Sequence, residues 1–281
     1  MNFLPDDEGY KFVDDSTFLE VLNLIAIGLS SYNAKFHVPS DIPPDTKYLP
    51  PENFKTQSHL DQINKWTEEH QMLLNPTKSK YMIINFCNSY QFRTRLSIQN
   101  SLIEQVHETK LLGVLIQDNL HWHANTKNLV KKAFSRMIIL RKLTEFAVPQ
   151  NDMLTIYVLF IRSVVEQSSV VWSSSLTREE EISLERTQKV ALRIIYQNQY
   201  ISYEHALQKS KLPTIKQRYE TLLYRFAKKC SQNPKTKDML PLAKFHDWAR
   251  KNEKYEVPMA RKQRFYQSAI PTMARMLNKE H

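Results

Sequence analysis

Glycine occurs three times in 281 residues, and that scarcity narrows the folds open to this chain more than any other feature. Tight turns draw on residues that reach positive φ without strain, and glycine is the default among them. A sandwich or barrel of many short strands needs a turn every ~8–12 residues. The chain is therefore expected to rely on helices. Phosphate-cradling loops of the GxGxxG or Walker type are excluded with it, because neither pattern occurs. Hydrophobic residues make up 42% of the chain, enough to bury a core rather than to leave the chain disordered.

The two cysteines, Cys87 and Cys230, lie far apart and lack metal-ligand spacing. They form no disulfide framework and fit a reducing compartment, so an intracellular setting, cytoplasm or nucleus, is expected. The opening residues MNFLPDDE are acidic and carry no long apolar core, unlike a secretory signal. The longest apolar region, 156–172, is interrupted by Arg162 and Glu166 and reads as a buried helix rather than a membrane span. No membrane partner is expected.

Charge is distributed unevenly around a net +10. Residues 1–70 hold 5 Lys/Arg and 12 Asp/Glu, a net −7; residues 71–199 hold 16 and 10, a net +6; residues 200–281 hold 18 and 7, a net +11. A basic surface of that size favours polyanionic partners.

The texture changes near residue 118. Before it the pattern is mixed. GYKFV and TFLEVL read as short strands flanking an Asp-Asp turn, since Asp tolerates turn conformations. VPSDIPPDTKYLPPENF, residues 38–54, carries five prolines and reads as a loop. HLDQINKWTEEHQMLL shows helical spacing, while KYMIINF and KLLGVLIQ read as strands. After it the pattern is helical: NTKNLVKKAFSRMIILRKLTEF, DMLTIYVLFIRSVVEQSSVVW and REEEISLERTQKVALRIIY, then segments at 201–209, 214–231, 241–252 and 261–278. The expected architecture is α+β, mainly α. A small region of strands (1–118) precedes a larger helical region (119–281).

Two adjacent carboxylates, Asp14 and Asp15, sit between the first two expected strands. Successive strand residues alternate faces, so one of the pair can point into a site while its neighbour supports the turn. Paired acids repel unless a cation neutralises them, and a hard divalent ion with oxygen ligands suits that task. His121 and His123 could face one way on a strand and offer imidazoles to a metal. On the first long helical segment Lys127, Lys131, Lys132, Arg136, Arg141 and Lys142 recur at 3–5-residue steps in most cases and can form a cationic stripe. Lys209, Lys211, Lys216, Arg218, Arg225, Lys228 and Lys229 extend the basic surface.

FVDD, INKWTEEHQMLLN, LNPTKSKYMIINF and KLLGVLIQDNLHW occur in the order seen in reverse transcriptases of non-LTR, LINE-type retrotransposons. FVDD resembles the [YF]xDD motif of the palm. LNPTKSK resembles the following palm motif with its lysine, and KLLGVLIQDNLHW resembles the primer-grip segment. The stretch from IRSVVEQSSVVW to ALRIIY resembles the region downstream of these polymerase domains. The resemblance covers roughly residues 8–200. It implies a partial palm sheet followed by thumb-like helices, and RNA-directed DNA polymerase chemistry in which two Mg²⁺ ions clamp the primer oxygen and the triphosphate. It assigns Asp14 and Asp15 to the metal, Lys78 to the departing pyrophosphate, and Leu112, Gly113 and Val114 to the primer grip. The basic helix then belongs to the thumb, which contacts an RNA or DNA template–primer.

The departures matter as well. In the family a further metal-binding Asp and the fingers precede the xDD motif, and here 13 residues precede Asp14. Along an extended strand Asp7 lies about 23 Å from Asp14, whereas paired catalytic metals sit about 4 Å apart. The expectation is a truncated polymerase fragment that is inactive alone. Two alternatives stand beside it: a nucleic-acid-binding or assembly module retained from the thumb, and an incomplete gene model of an active enzyme. An incomplete palm sheet also leaves an unpaired edge, through which copies of the chain could associate.

Overall fold

The computed structural model describes residues 9–12, 15–18, 46–48, 55–72, 74–85, 91–243 and 254–279. Contacts divide the chain into two units. One comprises Met1–Thr109 with Gln117–Leu120, the other Lys110–Ile116 with His121–His281. Among the described residues helix far outweighs strand, and the strands form five separate two-stranded ladders.

In the first unit β1 (Gly9–Phe12) and β2 (Asp15–Phe18) pair antiparallel, with Phe12 opposite Asp15. The proline-rich stretch is not wholly loop. Its residues Thr46–Tyr48 form β3, which pairs in parallel with a strand at Gln91–Arg93. These residues lie between Pro43–Pro44 and Pro50–Pro51, where every residue keeps the N–H donor that a ladder requires. Helix α1 (Lys55–Glu69) follows, then β4 (Lys80–Tyr81), β5 (Gln91–Arg93), β6 (Ser97–Ile98), β7 (Ser101–Leu102) and β8 (Glu104–Gln105). Only the first two residues of the expected strand KYMIINF pair. Their parallel partner β8 is itself two residues long. The side chain of Gln57 fastens α1 to β6: its amide donates to Ser97 O (3.0 Å) and accepts from Ser97 N (3.1 Å). Leu96, Ile98 and Ile103 are buried, with Leu60, Leu74 and Tyr81 packed against them.

The expected single strand KLLGVLIQ is a hairpin instead, β9 (Glu108–Leu111) and β10 (Val114–Gln117). Its two-residue turn has φ 47° at Leu112 and 88° at Gly113. Positive φ at both central positions is what a type I′ hairpin turn demands.

The second unit is built on α2 (His123–Glu145), α3 (Gln150–Ile156), a π turn (Tyr157–Arg162), α4 (Ser163–Glu166), α5 (Ser169–Trp172), a 3₁₀ turn (Ser173–Ser175), α6 (Arg178–Tyr196), α7 (Tyr203–Ser210) and α8 (Ile215–Gln232). Thr177 with Glu180, and Thr214 with Gln217, form capping boxes that start α6 and α8, satisfying amides that the first helical turn leaves open. The segment expected to be helical at 241–252 starts extended, with Leu242 bridged to Tyr255; residues 244–253 lie outside the described residues. The expected helix 261–278 is divided into α9 (Gln263–Gln267) and α10 (Ala269–Asn278). Pro271 explains the break: a continuous helix would drive its ring into the carbonyl of Gln267, while in the first turn of α10 it costs nothing.

Among the described residues two clusters make the core of this unit. The larger joins Leu129, Ala133, Met137 and Leu140 of α2 to Met153, Tyr157, Ile161, Trp172, Leu184, Leu192 and Tyr219. The smaller joins Leu223, Ala227 and Cys230 of α8 to Met273, Ala274 and Leu277 of α10.

Polar groups inside the larger cluster form one chain. Tyr157 donates to Gln188 Oε1 (2.9 Å), Gln188 donates to Tyr203 Oη (3.0 Å) and to Pro213 O (2.9 Å), and Tyr203 donates to Glu185, which also accepts from Ile215 N (3.0 Å). At the helix break Gln167 turns extended and Ser168 is left-handed (φ 51°). The carbonyls freed there are taken up by Trp172 Nε1, which donates to Gln167 O (3.1 Å), and by Tyr219 Oη, which donates to Val165 O (2.7 Å). Glu166 lies between two guanidinium groups. Arg218 donates to both of its oxygens (3.0 and 3.1 Å), and Arg162 Nε lies 2.9 Å away as an ion pair outside hydrogen-bonding geometry. Among the described residues no single helix is long and apolar enough to cross a membrane.

Burial holds the hydroxyls of Tyr157 and Tyr219 well above their ordinary pKa. A tyrosine raised in the folded state stabilises in full below the unfolded pKa of about 10, and this contribution is lost as pH rises from there toward the folded value. Each one removes about 1.4 kcal/mol per pH unit in that window, so the pair is expected to steepen alkaline destabilisation by about 2.7 kcal/mol per unit. Urea midpoints taken between pH 8 and 11 check this. Tyr157→Phe should lower the slope above pH 10 by about half of that pair contribution; an unchanged slope would refute the assignment.

Candidate nucleic-acid interface

Helix α2 displays its cations in two groups. At roughly 100° per residue, Lys127, Lys131, Arg141 and Lys142 fall within an arc of about 100° that does not overlap the one holding the buried Leu129, Ala133, Met137 and Leu140. Lys127, Lys131, Arg141 and Lys142 are exposed. Ile138, 58% exposed, sits in the middle of this arc. The single carboxylate on the face is Glu145, paired with Lys142 at 2.9 Å. No ion pair engages Lys127, Lys131 or Arg141 among the described residues. Lys132 and Arg136 flank the buried side instead. Arg136 is engaged within the chain: Nη1 donates to Phe160 O (2.6 Å), and the guanidinium lies 4.4 Å from the centre of the Phe160 ring. It supports a carbonyl of the π turn.

The turn at Leu112–Gly113 and Val114 belong to the same unit as α2. Leu112 is 49% exposed and Val114 is buried in the larger cluster. A Cβ on Gly113 would stand 2.3 Å from Gln167 Nε2, so the bare backbone there is met by a side chain of this chain. Asn125 Oδ1 accepts from Leu115 N (3.2 Å) and ties β10 to the first turn of α2.

In the first unit, Lys78 lies exposed on a turn wound about Asn75. Thr77 N donates to Asn75 Oδ1 (3.0 Å), and Lys78 N and Ser79 N both donate to Asn75 O (3.2 Å). Asp15 opens β2. Asp14 lies outside the described residues, as does Cys87. No three metal-ligating side chains come together among the described residues. His121 and His123 straddle the start of α2. Arg264 donates to His121 Nε2 at 2.5 Å, and His123 lies 3.8 Å from Glu180.

Of the further cations singled out in the sequence, Lys216 pairs with Glu181 (3.2 Å) and Arg218 with Glu166. Lys228 lies over the Tyr224 ring. Sequence reasoning missed a second basic row on α6, where Arg186, Lys189 and Arg193 are all exposed. Its signal was present as i, i+3 and i+4 spacing. A cavity of ≈ 260 Å³ among α6, α8 and α10 is lined by Leu176, Leu184, Glu185, Lys216, Glu220 and Met276, among others. That is below the roughly 300–1,000 Å³ usual for organic ligands.

Comparison with family models, with curated proteins and with solved structures returns no match for this chain.

Proposed function

We propose that this chain is the palm end and thumb of a reverse transcriptase of the non-LTR retrotransposon type, and that its helical unit holds template–primer nucleic acid on the outward face of α2. The observation that supports this reading is the charge of that face: Lys127, Lys131, Arg141 and Lys142 against Glu145 alone. Phosphate contacts require only positive charge suitably placed, so such a face binds RNA or DNA with little regard to sequence. Asp14 and Asp15 are the residues to which the resemblance assigns Mg²⁺, with Lys78 beside the departing pyrophosphate. The described residues do not complete a set of ligands, and no catalytic step is drawn through a metal.

The 281-residue polypeptide is expected to bind duplex without extending a primer. Neutralising the four cations to Gln should weaken duplex binding at least about tenfold near 0.1 M salt and lower the salt slope by about 3 to 4. Fluorescence anisotropy at several salt concentrations measures both. Unchanged affinity and slope in the variant would remove the α2 face from the interface. Templated primer extension in Mg²⁺ that disappears in Asp14→Ala would overturn the non-catalytic part of the reading.

A further inference from the structure

The basic row of α6 is held in an unusual way. Lys189 Nζ lies 5.0 Å from the centre of the Tyr203 ring, Arg193 Cζ 5.3 Å from that of Tyr200, and Lys209 Nζ 4.8 Å from that of Tyr196. Lys209 also donates to Gln199 Oε1 (2.5 Å). A ring face attracts a cation without cancelling its charge, as a carboxylate would. Long side chains are thus positioned in advance, which lowers the entropy lost when an anion binds. No ion pair engages Arg186, Lys189, Arg193, Lys209 or Lys211 among the described residues. Of the neighbouring acids, Glu185 is committed to Tyr203 and Ile215. Glu204 remains charged: its own backbone amide, the Ser202 hydroxyl and Lys189 lower its pKa. The local balance is five cations against these two carboxylates.

Arg186, Lys189 and Arg193 fall within an arc of about 60°, at axial steps of about 4.5 and 6 Å. Exposed Gln197, Asn198 and Gln199 border the row. α2 and α6 pack against each other through the larger core cluster, and the exposed cations of each helix lie outside the arc that it buries there.

We infer that the α6–α7 surface is a second phosphate-binding surface, fitted to a single-stranded nucleic acid, separate from the α2 face. A flexible strand can follow closely spaced, preset charges along one helix, with amides beside them for sugars and bases, whereas a stiff duplex meets fewer of them. The inference shares its chemistry with the α2 reading but concerns another face.

Anisotropy of a labelled 20-nucleotide single strand with the full chain tests it. Arg186→Gln/Lys189→Gln/Arg193→Gln should weaken binding about tenfold and reduce the salt slope by about 2, with the helical circular dichroism unchanged. Tyr200→Leu, which keeps every charge, should lose a few-fold. Lysine acetylation footprinting of the wild-type chain should show Lys189, Lys209 and Lys211 protected by the strand, a readout independent of any variant's folding. Equal affinity and slope in the triple variant, or no protection, overturns the inference. So does polyglutamate competing as well as the oligonucleotide. If the triple variant is unaltered while the α2 variant loses duplex, only this inference falls; if the wild-type chain binds neither strand nor duplex, both readings fall.

Discussion

Replacing Glu166 by Ala is expected to destabilise the helical unit by about 3–5 kcal/mol, the scale of removing one partner from a buried ion pair. The side chains of Arg162 and Glu166 are only 10% and 16% exposed, and that of Arg218 is 26% exposed. Two guanidinium groups left facing each other without the carboxylate would repel and stay poorly solvated. Glu166→Gln keeps an acceptor but not the charge, and should recover part of the loss. Replacing all three residues by apolar side chains of similar volume should cost far less than Glu166→Ala, because a whole buried triad is often no better than hydrophobic packing. Urea denaturation followed by circular dichroism checks the series. A Glu166→Ala loss below about 1 kcal/mol would mean that solvent screens the triad like a surface pair.

Trp172→Ala is the second large effect. The indole is fully buried, meets Tyr219 edge-on with centroids 5.4 Å apart, and donates to Gln167 O. Deleting it should cost about 3–5 kcal/mol as cavity and lost transfer energy. Trp172→Phe separates the parts: most of the ring volume stays, while a carbonyl at the helix break loses its donor, at about 1–3 kcal/mol. If both variants cost the same, the hydrogen bond rather than the packing holds the break.

Much of the helical unit was legible in the sequence. Segments expected at 201–209 and 214–231 fold as α7 (Tyr203–Ser210) and α8 (Ile215–Gln232), because an apolar face and polar starts agree there. The hairpin at 108–117 was not, since Leu112 takes positive φ with none of the Asn-Gly or Asp-Gly signals that mark such turns. The π turn was hidden because apolar residues continue through it without a break. The division at Ser268 was written in Pro271, whose ring bars a continuous helix through the carbonyl of Gln267 four residues before it. In the candidate interface, the α2 cations were legible as a stripe, and the helical period already sets Arg136 beside the buried side; the Phe160 carbonyl that it meets there was not legible. The tyrosine contacts of α6 join residues 7 to 14 positions apart in sequence, and exist only because the chain doubles back at 197–202.

The π turn at Tyr157–Arg162 inserts about one residue more than an α-helix would use over the same path. It therefore acts as a phase shifter. Residues after it are rotated by about 100° relative to the frame set by Gln150–Ile156, and in that rotated frame Glu166, paired with Arg162, reaches Arg218 while Leu159 and Phe160 are exposed. Helix length here is coupled to docking on α8: losing a single residue from this stretch would leave the composition of the helix almost unchanged and aim its charges at the wrong neighbour.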